Sequence, residues 1–194
     1  MLSHEQESWL SAIAPEAVSA LDPTPYPTLV AIGHAAIESA WGSKQSGANN
    51  IFGVKWYQNA YGRELVTTHE VATQAQMDYE VKAGRIVNPV SVADLGNGLH
   101  RWSCQAWFAT FSSTAAAFTF YGNLIMNGLF YRKVWGEYMA NRDLDAFITG
   151  MTAIYSRSGG AEGTLLKQVI AMPQVIKALA DARAHLSSTA GPPA

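Results

Sequence analysis

The pattern of apolar and polar residues predicts a helix over residues 28–41. Its apolar positions recur three and four residues apart, as on the buried face of a helix: Leu29, Ile32, Ala36, Ile37 and Ala40. Pro27 suits the start of this helix, and Gly42 is placed to end it in left-handed geometry. The predicted helix is mostly apolar, so we expect it to be buried.

Helical spacing also predicts elements on both sides of this segment. Ser3 and Gln6 form a capping-box pattern that begins a short N-terminal helix, which Pro15 is expected to interrupt or restart. Ser112 or Ser113 is expected to cap a second group of helices. These helices are predicted over residues 114–127, about 131–139, 144–155 and 164–186, the last kinked or split at Pro173.

Residues 43–110 have a different character, being rich in Gly, Asn, Gln, Thr and Val. Polar and apolar residues alternate over 64–68, and Gly84 and the Asn97-Gly98 pair are typical of turns. We therefore predict a small β lobe over about 50–110 within a helical chain. Strands do not alternate with helices, so the fold class is α+β rather than a parallel α/β sheet.

Composition favours one well-packed domain over residues 1–186, followed by a disordered tail of small residues over 187–194. Of the 194 residues 48% are hydrophobic, 11% aromatic and only 14% charged, which excludes a disordered chain or a coiled coil. The formal charge is −2 with no basic cluster, so nucleic acid is not an expected partner. Cys104, the single cysteine, excludes an intrachain disulfide and a cysteine-based metal cluster.

The N-terminus lacks a basic start followed by an apolar run, so no Sec signal is expected. Apolar stretches fall short of the roughly 20 residues needed to span a bilayer, so no membrane insertion is expected either. We expect the protein to be a monomer.

Glu38 is the most informative candidate for chemistry. It lies in the last turn of the apolar helix, with Trp41 three residues further on. The negative end of the helix dipole and a nearby indole both disfavour a charged carboxylate, as a general acid requires. The alternative is an ordinary solvated glutamate. His34, one turn earlier, could tune Glu38 electrostatically or occupy an ordinary helix position.

Three segments of the sequence resemble glycoside hydrolase family 73, the N-acetylglucosaminidases of the lysozyme-like superfamily. They are residues 35–42 around Glu38, the run Asn49-Asn50-Ile51-Phe52-Gly53-Val54-Lys55, and the strand over 61–70. Ala40 stands where the family commonly has Gly. Further along, Tyr155-Ser156 is similar to the family's C-terminal Gly-Tyr-Ala segment. The resemblance implies a lysozyme-like fold that cleaves peptidoglycan glycan strands, with Glu38 protonating the glycosidic oxygen.

The resemblance also implies a second carboxylate in the β lobe, at Glu70. Glycoside hydrolysis usually uses one protonated and one ionised carboxyl across a cleft. Glu64, Asp78 and Glu80 are the competing choices, and strand alternation places Glu64 on the same face as Glu70. The stereochemical course, whether inverting, retaining or assisted by the substrate's acetamido group, stays open.

Candidate sugar contacts are aromatic, because aromatic faces pack on the apolar faces of pyranose rings. We name Trp56 after the Lys55 loop, and Tyr121 and Tyr155 in the second helical half, with core packing as the alternative for each. Asn50 and Phe52 are expected to shape the cleft floor, or to serve the loop itself. The five histidines show no paired metal spacing, so no metal or other cofactor is expected.

The expected function is therefore hydrolysis of the β-1,4 bond after N-acetylglucosamine in peptidoglycan, in the periplasm or cell wall. Two alternatives stay open. One is a muramidase or lytic transglycosylase acting on the same polymer, and the other is a non-catalytic wall-binding module. The lack of a signal and of wall-binding repeats is consistent with a phage endolysin or a tail-associated or envelope component.

Overall fold

The computed structural model describes residues 2–56, 62–156 and 159–189, and these form eight helices and three strands. The chain divides into a helical unit, Met1–Lys44 with Ser113–Ala194, and a sheet unit, Gln45–Ser112. The elements in chain order are α1 (His4–Leu21), α2 (Thr28–Glu38), β1 (Gly62–Thr73), α3 (Gln74–Lys82), β2 (Ile86–Gly96), β3 (Leu99–Thr110), α4 (Thr114–Asn127), α5 (Arg132–Asn141), α6 (Leu144–Tyr155), α7 (Gly159–Ile170) and α8 (Pro173–Thr189). The predicted α+β class is confirmed.

The central element of the helical unit is α2, which packs against α1, α4, α7 and α8. Its residues from Val30 to Ala36 are all buried. Gly33 allows α7 to approach closely, since a Cβ there would lie 2.5 Å from Cγ2 of Ile170. The last turn of α2 is thereby held by the core of the helical unit.

The helix α1 is continuous through Pro15, contrary to the predicted interruption. Proline removes one backbone hydrogen bond from a helix interior. The capping box at Ser3 and Gln6 forms as predicted, with Ser3 Oγ accepting from the Gln6 amide at 3.2 Å. Residues on both sides of Pro15, among them Ile13 and Val18, are buried in the core. Burial of one apolar stripe outweighs the lost hydrogen bond, which the sequence pattern alone did not show.

The helix α2 ends at Glu38 instead of continuing to Trp41. Ala40, Trp41 and Gly42 all have left-handed backbone, with φ of 46°, 58° and 80°. The Ser39 hydroxyl donates to the Ala35 carbonyl at 2.7 Å and accepts from the Gly42 amide at 2.8 Å. The predicted helix over residues 28–41 is therefore wrong in its last turn, and helical spacing does not relate Trp41 to Glu38.

The Trp41 ring meets the indole of Trp9 edge to face instead, with ring centroids 6.0 Å apart. A Cβ on Gly42 would lie 2.1 Å from Cδ1 of that same Trp9. The turn after Glu38 thus depends on a glycine for both its backbone conformation and its packing.

We expect Gly42→Ala to lower the free energy of unfolding by about 3 kcal/mol, from left-handed strain and overpacking against Trp9 together. Urea denaturation followed by circular dichroism measures it. The matched control is Gly84→Ala, where φ is 68° and no neighbouring atom lies within 4 Å. That control is expected to lose only about 1 kcal/mol of strain. Equal losses in the two variants would contradict the packing argument.

The sheet unit contains one antiparallel sheet in the order β1-β3-β2. Asn97 and Gly98, with φ of 53° and 74°, form the predicted turn between β2 and β3. The helix α3 was not predicted; it begins at a capping box formed by Thr73 and Gln76. A compact core of the sheet unit consists of Ala72, Met77, Ile86, Trp102, Cys104, Ala106 and Phe108.

The helices α4 and α6 have their predicted bounds, and α7 is separated from α8 just before Pro173. The helix α7 begins at Gly159, earlier than the predicted start at residue 164. The helix α8 continues to Thr189, so residues 187–189 are helical rather than part of the predicted tail. Residues 190–194 lie outside the described residues. The expectation of a single domain over 1–186 stays a prediction. None of the described helices combines the length and apolar character that crossing a bilayer demands.

Candidate active site

Glu38 is the last residue of α2 and its side chain is 24% exposed. The residue follows a run of buried positions, so its Cα is held by the core while its carboxyl reaches solvent. The Oε1 atom of Glu38 lies 3.6 Å from Nε2 of His34, which is one helical turn earlier in α2. The carboxyl is therefore both accessible to a substrate and adjacent to a buried titratable group.

His34 has no exposed surface and uses both ring nitrogens. Its Nδ1 lies 2.6 Å from the Tyr121 hydroxyl, and its Nε2 lies 2.9 Å from Oε1 of Glu162 on α7. Burial acts to lower the pKa of His34, but the hydrogen bond to Glu162 and the interaction with the nearby Glu38 outweigh it and raise that pKa above its ordinary value. The pattern of contacts favours the imidazolium form.

Glu162 is only 9% exposed and was not considered as a site residue on sequence. Burial acts to raise its pKa, but hydrogen bonds from His34 and Ser156 outweigh it and lower that pKa. Glu162 also lies in the first turn of α7, where the helix dipole favours an anion. A buried His34–Glu162 ion pair thus lies directly behind the carboxyl of Glu38.

The three groups offer a mixed nitrogen and oxygen donor set of the kind that divalent metals accept. Ligand atoms of His34, Glu38 and Glu162 all lie within 4.8 Å of one another. The 2.9 Å contact between His34 and Glu162 has hydrogen-bond length, and both His34 nitrogens have partners in the protein. The donors are thus engaged with one another, and the expected absence of a metal stays a prediction.

Tyr121 was named as a sugar contact, but the structure places it in the core with no exposed surface. Its hydroxyl accepts from the Tyr26 hydroxyl at 3.2 Å, and it lies 3.6 Å from the Met151 sulfur. A ring without exposed surface offers no face to a sugar. This assignment is corrected: the Tyr121 hydroxyl is a buried hydrogen-bond partner of His34.

Tyr155 is partly exposed and lies beside the same histidine, with the two ring centroids 4.5 Å apart. Burial raises the pKa of its phenol well above the ordinary value, and the charge of Glu38 acts in the same direction. The phenol is therefore a neutral hydrogen-bonding group near Glu38. Its role as a sugar contact stays a proposal.

Asn50 and Phe52, expected to shape a cleft floor, are each 1% exposed. The Asn50 amide donates to the carbonyls of Val54 and Ala109 at 2.8 and 2.9 Å and accepts from the Val54 amide at 2.9 Å. Such bonds close the loop on itself and tie it to β3. The structure therefore gives these residues the structural role that was their alternative.

Trp56 is partly exposed and takes part in a cation–π contact in the sheet unit. The Arg63 guanidinium lies 4.5 Å from the Trp56 ring centroid and 4.2 Å from that of Trp107. Trp107 was not singled out on sequence. It pairs with Leu65 across the sheet, and its chain neighbours Ala106 and Phe108 belong to the core, so strand alternation places Trp107 on the opposite face. Trp56 retains an aromatic surface suited to a sugar ring.

Glu70 lies on β1 opposite Trp102 of β3, and its side chain is 25% exposed. Its Oε1 atom is 2.8 Å from the ammonium of Lys55, the last residue of the Asn49–Lys55 run. Two of the segments that carry the family resemblance thus meet at one ion pair. A half-buried carboxylate held by a cation is suited to the ionised partner of a glycosidase pair.

The competing carboxylates have other surroundings. Glu64 is exposed, Asp78 is exposed and accepts from the Gln74 side chain at 2.8 Å, and Glu80 pairs with Arg85 at 2.7 Å. Glu64 and Asp78 thus lie on the surface, and Glu80 pairs with a residue only five positions away. Glu70 stays the proposed second carboxylate.

Comparison of the fold with solved structures gives clear similarities. The catalytic domain of the autolysin Auto from Listeria monocytogenes is 16% identical at a TM-score of 0.61, covering 92% of this chain and 89% of that one. A peptidoglycan hydrolase mutant from Sphingomonas sp. A1 is 22% identical at 0.59, covering 90% and 99%. The glycoside hydrolase domain of Salmonella typhimurium FlgJ is 18% identical at 0.57, covering 95% and 96%. At these identities the likeness is one of fold.

Among curated protein sequences, none matches this chain. A family model does match, over residues 14–158, and its description is glucosaminidase, mannosyl-glycoprotein endo-beta-N-acetylglucosaminidase. The match covers most of the chain, includes Glu38 and Glu70, and confirms both the resemblance and the glycoside hydrolase class. The chain belongs to the glucosaminidase family, glycoside hydrolase family 73.

Proposed function

We propose that this glycoside hydrolase cleaves the β-1,4 bond after N-acetylglucosamine in peptidoglycan, with Glu38 as the general acid and Glu70 as the second carboxylate. The observation that carries the proposal is the placement of Glu38. Its carboxyl is the solvent-facing end of an otherwise buried helix, next to a buried His34–Glu162 pair. The similarity in fold to peptidoglycan hydrolases from Sphingomonas sp. A1 supports the choice of polymer.

General acid chemistry explains what such a carboxyl contributes. Cleavage of a glycosidic bond leaves an alkoxide unless a proton reaches the leaving oxygen in the transition state. Glu38 donates that proton, and its partial exposure leaves the carboxyl open to the substrate. The Glu38 carboxylate left by this transfer takes up a proton from solvent, which restores the carboxylic acid for the next turnover.

Glu70 supplies the ionised carboxylate of the pair. In an inverting course it would activate a water molecule, and in a retaining course it would attack or stabilise the developing oxocarbenium ion. Lys55, 2.8 Å away, holds this carboxylate in place. Trp56 and Tyr155 are the remaining proposed sugar contacts, because both keep some exposed surface.

Product analysis of purified sacculi tests the function directly. Digestion followed by borohydride reduction and mass spectrometry is expected to show N-acetylglucosamine at the new reducing ends. Reducing N-acetylmuramic acid would assign a muramidase, and a 1,6-anhydro product would assign a lytic transglycosylase. Sedimentation of the protein with sacculi without any released ends would identify a wall-binding module.

This substrate places the action of the protein at the cell wall, and we propose a monomer that works there or in the periplasm. An endolysin or tail-associated role agrees with that setting. Size-exclusion chromatography with light scattering tests the monomer, whose mass would be 20.9 kDa.

A further inference from the structure

We propose that His34 and Glu162 form a buried ion pair that positions the carboxyl of Glu38 and leaves it without a salt-bridge partner, because Glu162 occupies the imidazolium that would otherwise pair with Glu38. The inference rests on the proposed role of Glu38 as the acid. His34 and Glu162 are positioning residues, since both act through Glu38 and are themselves almost completely buried.

The surroundings of the ring support a charged His34. Its Nε2 lies 2.9 Å from Oε1 of Glu162 and 3.6 Å from Oε1 of Glu38, and a carboxylate needs a donor, so Nε2 carries a proton. Its Nδ1 lies 2.6 Å from the Tyr121 hydroxyl, a group that can accept from Nδ1–H. Two carboxyl groups beside one buried imidazole favour its protonated form.

The distances distinguish the two carboxylates. Glu162 lies at 2.9 Å from Nε2, within hydrogen-bond length, whereas Glu38 lies at 3.6 Å, beyond it. The imidazolium is therefore committed to Glu162, and Glu38 is its neighbour rather than its partner. The charges of His34 and Glu162 oppose each other at Glu38, so the carboxyl experiences a nearly neutral pair.

The titratable groups around this pair come from each side of α2. Glu162 comes from α7, Tyr121 from α4, Tyr155 from α6 and Tyr26 from the segment between α1 and α2, while Glu38 lies on α2 itself. Burial holds the pKa of each of these three phenols above its ordinary value, so they stay neutral. The helices α1 and α8 bury apolar residues such as Leu21 and Leu179 in the same unit. His34, Glu38 and Glu162 are thus the groups of this cluster that carry its charge.

The pH at which kcat/KM falls on the alkaline side of the profile, its alkaline limb, should shift when either member of the pair is removed. The two single variants should shift it in opposite directions. In Glu162→Gln the imidazolium is free to pair with Glu38 and stabilise its carboxylate, so the alkaline limb of kcat/KM should shift about one pH unit lower. In His34→Gln the Glu162 carboxylate is left beside Glu38 and disfavours a second negative charge, so the limb should shift about one unit higher. The double variant should return close to the wild-type limb.

The experiment is a pH profile of initial rates on solubilised glycan strands at limiting substrate, for the wild type, both single variants and the double variant. The matched control is Glu137→Gln, an exposed carboxylate on α5, which should leave the profile unmoved. Thermal unfolding of each variant accompanies the profile. Limbs that stay in place, or that move in the same direction in both single variants, would overturn the proposal.

Nitrogen NMR of the wild-type protein labelled at histidine provides a second measurement that needs no variant. His34 should show both ring nitrogens protonated at pH 7, and a neutral tautomer at that pH would overturn the proposal even if a variant failed to fold. The two proposals also fail separately. An active Glu38→Gln variant would remove the acid assignment. An inactive Glu38→Gln variant, together with unmoved limbs in the His34 and Glu162 variants, would remove only the ion-pair inference.

Discussion

Replacing Glu38 by glutamine is expected to lower the release of reducing ends from sacculi about 10³-fold. The amide has the same shape as the carboxyl and can still contact His34, but it has no acidic proton to give to the leaving oxygen. Binding of the glycan should change little, because the loss belongs to the transition state. The measurement is kcat from reducing-end release, together with co-sedimentation of the variant with sacculi.

Glu16→Gln is the matched control for this experiment. Glu16 is an exposed carboxylate on α1 in the same helical unit, so its removal tests whether loss of any negative charge weakens action on the polymer. We expect full activity from it, and an unfolding free energy within about 0.5 kcal/mol of the wild type. Wild-type turnover by Glu38→Gln would remove Glu38 as the acid, whatever the fold suggests.

Local capping chemistry was readable from the sequence where it was sought. Ser3 and Gln6 predicted the start of α1, and the same side-chain pattern at Thr73 and Gln76 begins α3. The helix α3 was not predicted, because polar and apolar residues alternate around it as they do in strands. A capping box is a local hydrogen-bond arrangement, so it can begin a helix within a β-rich segment.

The end of α2 shows what periodicity cannot show. Apolar spacing continues to Trp41, yet Ala40 and Trp41 adopt left-handed backbone that side chains other than glycine seldom take. That conformation is stabilised by contacts distant in sequence, above all by the packing of Trp41 on Trp9. Only Gly42 was recognisable in advance as a residue suited to the turn.

The partnership of His34 with Glu162 joins residues 128 positions apart, and no local pattern predicts such a pairing. One sequence signal was available, since Glu162 is the single acidic residue between Asp145 and Asp181, in a segment otherwise rich in apolar and small residues. An isolated charge among buried neighbours is a candidate for an ion pair. Glu38 is isolated among apolar and small residues in the same way.

Sugar contacts were the least predictable part of the site. Tyr121 and Phe52 belong to residue types that serve equally in a core or on a sugar-binding surface, and sequence spacing does not distinguish the two environments. Both are buried, whereas Trp56 keeps exposed surface beside Arg63. Exposure depends on which elements cover a residue, and that is a property of the assembled fold.

The second carboxylate gives the other large expected effect. Glu70→Gln should lower kcat about 10²-fold while leaving KM within a factor of about three, because an ionised carboxylate acts on the transition state more than on binding. The amide keeps the size of the side chain but loses the charge that pairs with Lys55 at 2.8 Å. Reducing-end release from sacculi measures kcat, and circular dichroism verifies that the sheet is retained.

Glu64→Gln is the matched control, since Glu64 lies on the same strand and the same face but is exposed. It should keep wild-type activity. A large loss at Glu80 or Asp78 combined with normal turnover of Glu70→Gln would transfer the role to one of them. Normal turnover by every one of these variants would leave the substrate's own acetamido oxygen as the internal nucleophile, so that Glu38 would be the only protein carboxyl the reaction requires.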